Sequence, residues 1–348
     1  MSWQGILGHD DLVERFRRAL ARGRLASSFL FVGPEGVGKR AFARKFAQSL
    51  LCQARPEEAL DPCGRCPGCM QVAAETHPDL ELVAKPGDKS FLPLELLIGD
   101  KEHRMRTGLC HSLSLKPFMG GRKVAVIDDA DYLNVEGANC LLKTLEEPPP
   151  RSILILIGTS AARQLPTIRS RCQMIRFRRL SDEVVAELLL AQQVVADREE
   201  ADRLARHAEG SIQRAKELAD PELWKFRSRL CRHLAEPALD SVRLAKASLD
   251  FVNEAGKEAP PRRQRMRQVV AFAADFYRQL LRGPRATGDD PELGQWLGRA
   301  VQWGLDIETA AECLDRCLDA AEQIDRNVNQ ATCLEAWLDG LAARLSSR

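Results

Sequence analysis

Two stretches of this sequence carry residues able to handle phosphate, and a third carries residues able to hold a metal. Gly33, Gly36, Gly38 and Lys39 follow the apolar run Phe29–Val32 with the G-x-x-x-x-G-K spacing of a phosphate loop. Glycines there let backbone N–H groups curl around an anion. A helix N-terminus behind them adds positive potential, and Lys39 reaches the outer phosphates. The pattern ordinarily closes on Ser or Thr, whose hydroxyl holds Mg²⁺; here the position is Arg40. A guanidinium has donors only and is itself a cation, so it cannot ligate a metal and would repel one. The expectation is a loop that takes an anion or a nucleotide, with ATP binding weak or absent, and that lacks the usual Mg²⁺ position.

The second stretch is the apolar run Val124–Ile127, which ends in Asp128 and Asp129. An apolar strand ending in acid is the metal-side arrangement of nucleotide hydrolases, with Asp128 as the metal carboxylate. Asp129 stands where a glutamate usually orients the attacking water, and its side chain is one methylene shorter. Errors of an ångström in such positioning cost large factors in rate. Acids that merely end a strand at the surface are the plainer alternative.

The third stretch is Cys52, Cys63, Cys66 and Cys69, the last three in a loop rich in Pro and Gly. Four thiolates fill a tetrahedral Zn²⁺ shell, and Cys-x-x-Cys spacing lets adjacent ligands share one ion. A closed four-sulfur shell leaves no open position, so such a zinc is structural. An iron–sulfur cluster also takes four cysteines, and a redox dithiol needs two. Among these, zinc is the expected occupant. The remaining seven of the 11 cysteines are scattered and read as small core residues, not as a disulfide framework.

The elements that must position these residues follow from hydrophobic patterning. Phe29–Val32, Val124–Ile127 and Ile153–Ile157 are short, unbroken apolar runs, and Leu80–Val83 and Met174–Phe177 are short apolar runs each interrupted by one charged residue. Such runs suit a parallel sheet covered on both faces, and the segments between them are long enough for crossover helices. This predicts a doubly wound α/β domain. Phe42, Phe46 and Leu50, four apart, mark one face of the helix after the phosphate loop. Asn134 caps a helix over 135–146 that Pro148–Pro150 ends. Ser181 caps another, and Gly210–Ser211 precede a third within a small helical domain at 180–220. Beyond Glu222 the pattern is helical throughout, with a loop at Gly283–Pro291. The basic run Pro260–Arg267 reads most simply as a solvated helix start.

Composition constrains the class without choosing it. At 348 residues, 45% hydrophobic and 29% charged, the chain can bury a substantial core in two or three domains. A formal net charge of +2 neither demands nor excludes nucleic acid, so any DNA contact must come from a local patch. No apolar run approaches the roughly 18 residues of a membrane span, and the first residues have no apolar signal core. The expected location is cytoplasmic.

Taken in order, these motifs resemble the AAA+ clamp-loader subunits of bacterial DNA polymerase III. The resemblance runs from Gly5 to about Arg214. It rests on Gly8–Leu12, Gly23–Leu25, Phe29–Lys39, Leu113–Pro117, Gly121–Asp131, Ala138–Pro148 and Leu165–Cys172. Asp88–Gly108 matches less well, as an insertion would. The resemblance implies an AAA+ P-loop domain with a parallel sheet and a zinc loop over 1–179. A helical lid over 180–220 and an all-α collar over 221–348 would follow. It also implies roles. Arg171, in Ser170-Arg171-Cys172, would be an arginine finger reaching a neighbouring subunit's γ-phosphate, where a guanidinium fork offsets developing charge. Thr159 matches the γ-phosphate sensor. Gln213 stands where active ATPases of the family carry arginine.

The zinc set and Arg171, combined with Arg40, Asp129 and Gln213, point to the delta-prime type of subunit. Such a subunit is a poor or inactive ATPase within a nucleotidyltransferase complex. Its expected partners are tau/gamma and delta subunits in a hetero-oligomeric ring, the sliding clamp, and primed DNA through non-sequence-specific phosphate contacts. The alternative is the tau/gamma-type ATPase itself, and a stand-alone nucleotide kinase is a third reading.

Overall fold

The computed structural model describes residues 3–346 except 87, 88, 90, 120, 284–289 and 327. The chain forms two compact units, 1–219 and 220–348.

The first unit is built on a five-stranded sheet: β1 (Ser28–Val32), β2 (Leu80–Val83), β3 (Lys123–Ile127), β4 (Ser152–Gly158) and β5 (Gln173–Arg176). The order is β2-β3-β4-β1-β5, and every neighbouring pair is parallel. All residues of β1, β3 and β4 are buried, which is why these strands read as unbroken apolar runs and not as alternation. Successive side chains still point to opposite faces. Phe29 and Phe31 join Phe16, Phe42 and Phe46 in one core layer, while Leu30, Ala125, Leu154 and Leu156 join Leu141 in the other. Val32 pairs with Gly158, and Ile127 with Leu156, so these strands end on one edge of the sheet. In parallel α/β sheets that carboxyl edge is where ligand-binding loops emerge.

Among the described residues the helices of this unit are α1 (Asp10–Ala21), α2 (Lys39–Leu50), α3 (Pro67–Ala73), α4 (Leu94–Ile98), α5 (Gly108–Ser114), α6 (Val135–Glu146), α7 (Pro166–Arg169), α8 (Asp182–Ala191), α9 (Arg198–His207) and α10 (Ile212–Leu218), the last three packed on one another. The α2 face carrying Phe42, Phe46 and Leu50 is buried, and each such side chain contributes about 1.5–3 kcal/mol. Truncating Phe42 would break this face first, since its ring also meets Trp3, Phe16, Phe31 and Phe177. Helix starts are fixed by side-chain caps. Asn134 accepts from Gly137, Ser181 from Val184, Asp197 from Glu200 and Ser211 from Arg214. Asp79, wholly buried, accepts from the amides of Phe118 (2.7 Å) and Met119 (2.9 Å) and lies 3.8 Å from Lys123 Nζ.

The second unit is helical: α11 (Pro221–Leu234), α12 (Ser241–Asn253), α13 (Ala259–Arg282), α14 (Pro291–Gln302), α15 (Ile307–Asp325) and α16 (Gln330–Ser346). Its buried residues include Phe226, Phe251, Phe276, Tyr277 and Trp337, with the rings of Phe226 and Phe251 stacked 4.3 Å apart. The basic run 260–267 forms the first turns of α13, where Arg265 pairs with Asp220 at 3.0 Å. Most of the expected loop at 283–291 lies outside the described residues. Of the scattered cysteines, Cys110, Cys231, Cys313, Cys317 and Cys333 are buried, whereas Cys140 and Cys172 are half-buried.

Candidate phosphate loop, arginine and metal centre

The loop between β1 and α2 turns through positive φ at Gly36 (74°) and Gly38 (97°), which only glycine adopts without strain. Gly38 is the N-cap of α2 and offers no side-chain cap, so the first amides of the helix are left for an external acceptor. Lys39 is only 8% exposed, and its Nζ donates to the carbonyls of Gly33 and Pro34, 2.6 Å each. Burial lowers its pKa, opposed by the carboxylates of Glu35, Asp128, Asp131 and Asp129. Arg40 Nη1 lies 3.5 Å from Asp128 Oδ2. Arg40, at the position where the sequence pattern has a hydroxyl, is thus paired with Asp128, the carboxylate expected from the sequence to face a metal.

Asp129 sits at φ 57°, a left-handed turn that leads the chain into the 3₁₀ turn Ala130–Tyr132. Burial raises its pKa, aided by Asp128 and opposed by Lys85. Thr159, at the end of β4, donates its amide (2.7 Å) and hydroxyl (2.5 Å) to Asp131 Oδ2, and Gln164 donates to Asp131 Oδ1. Asp131 therefore anchors Thr159, a role that sequence reasoning missed; its one signal was the third acid in the run Asp128–Asp131. His9 was missed too. Buried, with Nε2 2.7 Å from Val37 O and its ring edge-on to Phe177, it props the phosphate loop from beneath. Its only signal was its place in Gly8–Leu12.

The start of α10 rests on this loop. Ile212 N–H donates to Gly36 O at 3.0 Å, and a Cβ on Gly36 would overlap Ser211 Oγ. Gln213 donates to Glu217 on its own helix (3.2 Å), and Arg214 pairs with Glu209 (3.0 Å). Gly33, Gly36, Gly38, Lys39, Arg40 and Asp128 thus share one site, with Asp129 and Thr159 at the adjoining strand ends.

Arg171 is placed apart from that set. Its Nε and Nη2 both donate to Glu146 Oε1 (2.9 and 2.5 Å), and its Nη1 to Thr167 O (3.0 Å) and Ser170 Oγ (3.2 Å). The guanidinium is held at the junction of α6 and α7, partly exposed, with its bonds directed to those two helices and not to the phosphate loop.

The four clustered cysteines come together. Their sulfurs lie within 4.8 Å of one another, with Cys52–Cys66 and Cys63–Cys69 each at 3.9 Å. Sulfurs about 2.3 Å from a shared ion at tetrahedral angles stand about 3.8 Å apart, so the spacing fits a tetrahedral ion. The amides of Cys63, Cys66 and Cys69 point at Cys52, Cys63 and Cys66 sulfurs (3.5, 3.3 and 3.4 Å), which favours thiolate. Burial raises the Cys66 pKa, but the amides of Cys69 and Gln53 outweigh it and bring it to about 6; burial pushes Cys69 up to about 12. The group could therefore hold a metal ion. Gln48 Nε2 on Cys69 O (2.9 Å), Trp3 Nε1 on Leu60 O (2.6 Å) and the Arg122–Glu57 pair (2.5 and 2.7 Å) fasten the loop to the first unit.

Among curated relatives, DNA polymerase III subunit delta′ of Pseudomonas aeruginosa is 41% identical over 43% of this chain and 43% of its own length. Subunit delta′ of Bacillus subtilis is 32% identical over 51% of this chain and 49% of its own, and subunit tau of that organism 27% identical over 63% and 37%. The chain thus spans about half, or less, of the length of the relatives it matches. A DNA polymerase III gamma subunit-related protein from Thermotoga maritima overlays 96% of this chain and 99% of its own at 15% identity, with a TM-score of 0.40. A likeness that weak carries no argument, and the fold rests on strand order and register. The family model described as DNA polymerase III, delta subunit, matches residues 8–181, half of the chain. The chain belongs to that family and is delta-prime-like within it.

Proposed function

We propose that this protein is a clamp-loader subunit of a bacterial DNA polymerase III, helping to place a sliding clamp on primed DNA. It would work with tau/gamma and delta subunits in a ring, with DNA met through phosphate and not through base edges. Its own part is to lend a cation: Arg171 would reach the γ-phosphate bound by a neighbouring ATPase, where an arginine finger is worth about 10³–10⁵ in rate. Residues 180–220 would act as the lid on the phosphate loop, and 221–348 as the collar that joins the ring. Cys52, Cys63, Cys66 and Cys69 would hold a structural Zn²⁺.

The observation that carries this reading is one pairing within a delta-prime-like chain. Ser170-Arg171-Cys172 is complete, while Arg40 stands against Asp128 at 3.5 Å. A finger for another site is kept, and the metal position of the chain's own site is not. The tau/gamma-type ATPase is the competing reading, and it requires that metal position. Reconstitution with tau/gamma, delta and clamp, scored by clamp loading, tests the proposal. Loading that depends on this chain supports it. Brisk Mg²⁺-dependent hydrolysis by the isolated chain would instead favour the competing reading.

A further inference from the structure

A phosphate loop ordinarily shares its nucleotide with a divalent cation that bridges the phosphates to a strand-end carboxylate. Here that carboxylate already has a cation covalently attached to the chain. Arg40 Nη1 lies 3.5 Å from Asp128 Oδ2, with the arginine side chain 55% exposed and the aspartate 22%. A divalent ion entering beside Asp128 would sit within a few ångströms of the Arg40 guanidinium, which carries a permanent positive charge and repels it. It would also find no hydroxyl ligand at position 40.

The rest of the site remains suited to phosphate. The α2 N-terminus lacks a side-chain cap, the loop turns through positive φ at Gly36 and Gly38, and Lys39 is held over it by the Gly33 and Pro34 carbonyls. Two of the carboxylates nearby are engaged within the protein, Asp128 with Arg40 and Asp131 with Thr159 and Gln164, while Glu35 and Asp129 keep negative charge near Lys39. A guanidinium presents a planar fork that matches phosphate oxygens and cannot lose its charge.

We propose that Arg40 is a built-in replacement for the divalent cation, so that the loop takes a nucleoside di- or triphosphate free of Mg²⁺ and holds it uncleaved. This goes beyond the clamp-loader reading, which stands whether or not the loop is filled.

The test is equilibrium titration of the full chain with a fluorescent analogue of ADP or ATP, in excess Mg²⁺ and in EDTA. For the unmodified chain, binding in EDTA is expected to be as tight as in Mg²⁺, or tighter. Arg40→Thr restores a hydroxyl and should reverse the preference, binding at least tenfold tighter with Mg²⁺. Arg40→Lys keeps the charge and should keep metal-independent binding; it serves if the threonine variant does not fold, as judged by circular dichroism. Lys39→Ala should lose binding in both buffers. Three results would overturn the proposal: at least tenfold tighter binding of the unmodified chain with Mg²⁺, no binding in either buffer, or binding unaffected by Lys39→Ala. Clamp loading by the reconstituted complex, measured in parallel, separates this failure from failure of the clamp-loader reading.

Discussion

Replacing Cys63 with Ser removes one of four sulfurs that converge within 4.8 Å, and the structure sets the size of the consequence. The loop from Cys52 to Cys69 has little core of its own, yet it and the following helix insert Leu60 (0% exposed) and Val72 (2%) into the layer shared with Phe16 and Phe42. Burial of two such side chains is worth about 3–6 kcal/mol, and the Trp3–Leu60 hydrogen bond adds about 1 kcal/mol. The partly buried Arg122–Glu57 pair adds at most about 1 kcal/mol. If the metal is what holds the loop in place, its loss therefore costs about 4–8 kcal/mol, a large part of the roughly 5–15 kcal/mol typical of a folded domain. For a unit of this size that corresponds to a fall in Tm of roughly 8–32 °C. The assay is elemental analysis of the purified chain beside thermal unfolding with and without a chelator, for both forms. The native chain should carry one zinc, lose it together with its stability on chelation, and recover both on zinc addition; Cys63→Ser should resemble the stripped chain from the outset. Absence of zinc, iron in its place, or a Tm indifferent to chelation would refute the reasoning.

Three further outcomes are expected. Arg171→Ala should leave assembly with tau/gamma and delta intact while lowering DNA-stimulated ATPase of the complex by a factor on the order of 10³; unchanged turnover would remove the finger. Gly36→Ala should cost about 1–3 kcal/mol in chemical denaturation, because φ is 74°, a left-handed conformation that disfavours any Cβ, and the new methyl would overlap Ser211 Oγ; a neutral substitution would contradict the contact between Gly36 and the start of α10. In metal-stripped protein kept at a temperature where the loop stays folded, Cys66, with its pKa near 6, should be about nine-tenths thiolate at pH 7 and alkylate first. Cys231 and Cys317, both buried and pushed to about 12, should stay inert. A folded pKa below the unfolded thiol's means that this contribution to stability is fully present above the ordinary thiol value and fades as pH falls through about 6. Mass-spectrometric mapping of alkylation against pH checks both, and equal labelling of all three thiols would count against the geometry.

Much of this was legible because its cause is local. An unbroken apolar run of four or five residues identifies a strand covered on both faces, as in β1, β3 and β4, while the runs interrupted by Glu81 and Arg176 became β2 and β5, only partly covered; all five are neighbours in one parallel sheet. Asn134 and Ser181 announced helix starts because a cap bonds an amide three residues away. The glycine spacing before Lys39 and the Cys-x-x-Cys pairs likewise name their chemistry through neighbours in the chain. The half-buried Cys140 and Cys172 show the limit of such reasoning, since type alone does not say how deeply a residue sits.

What only the tertiary structure decided are the partners far apart in sequence. Arg40 meets Asp128, Thr159 meets Asp131, His9 meets Val37, and Arg171 meets Glu146. No periodicity links these pairs. Each is made when strands from distant parts of the chain end on the same edge of one sheet, or when helices pack side by side, so the choice of partner belongs to register and packing. Residue types and spacing determined which groups this protein has for phosphate and metal; the folded sheet determined that the cation at position 40 would lie against the carboxylate at 128.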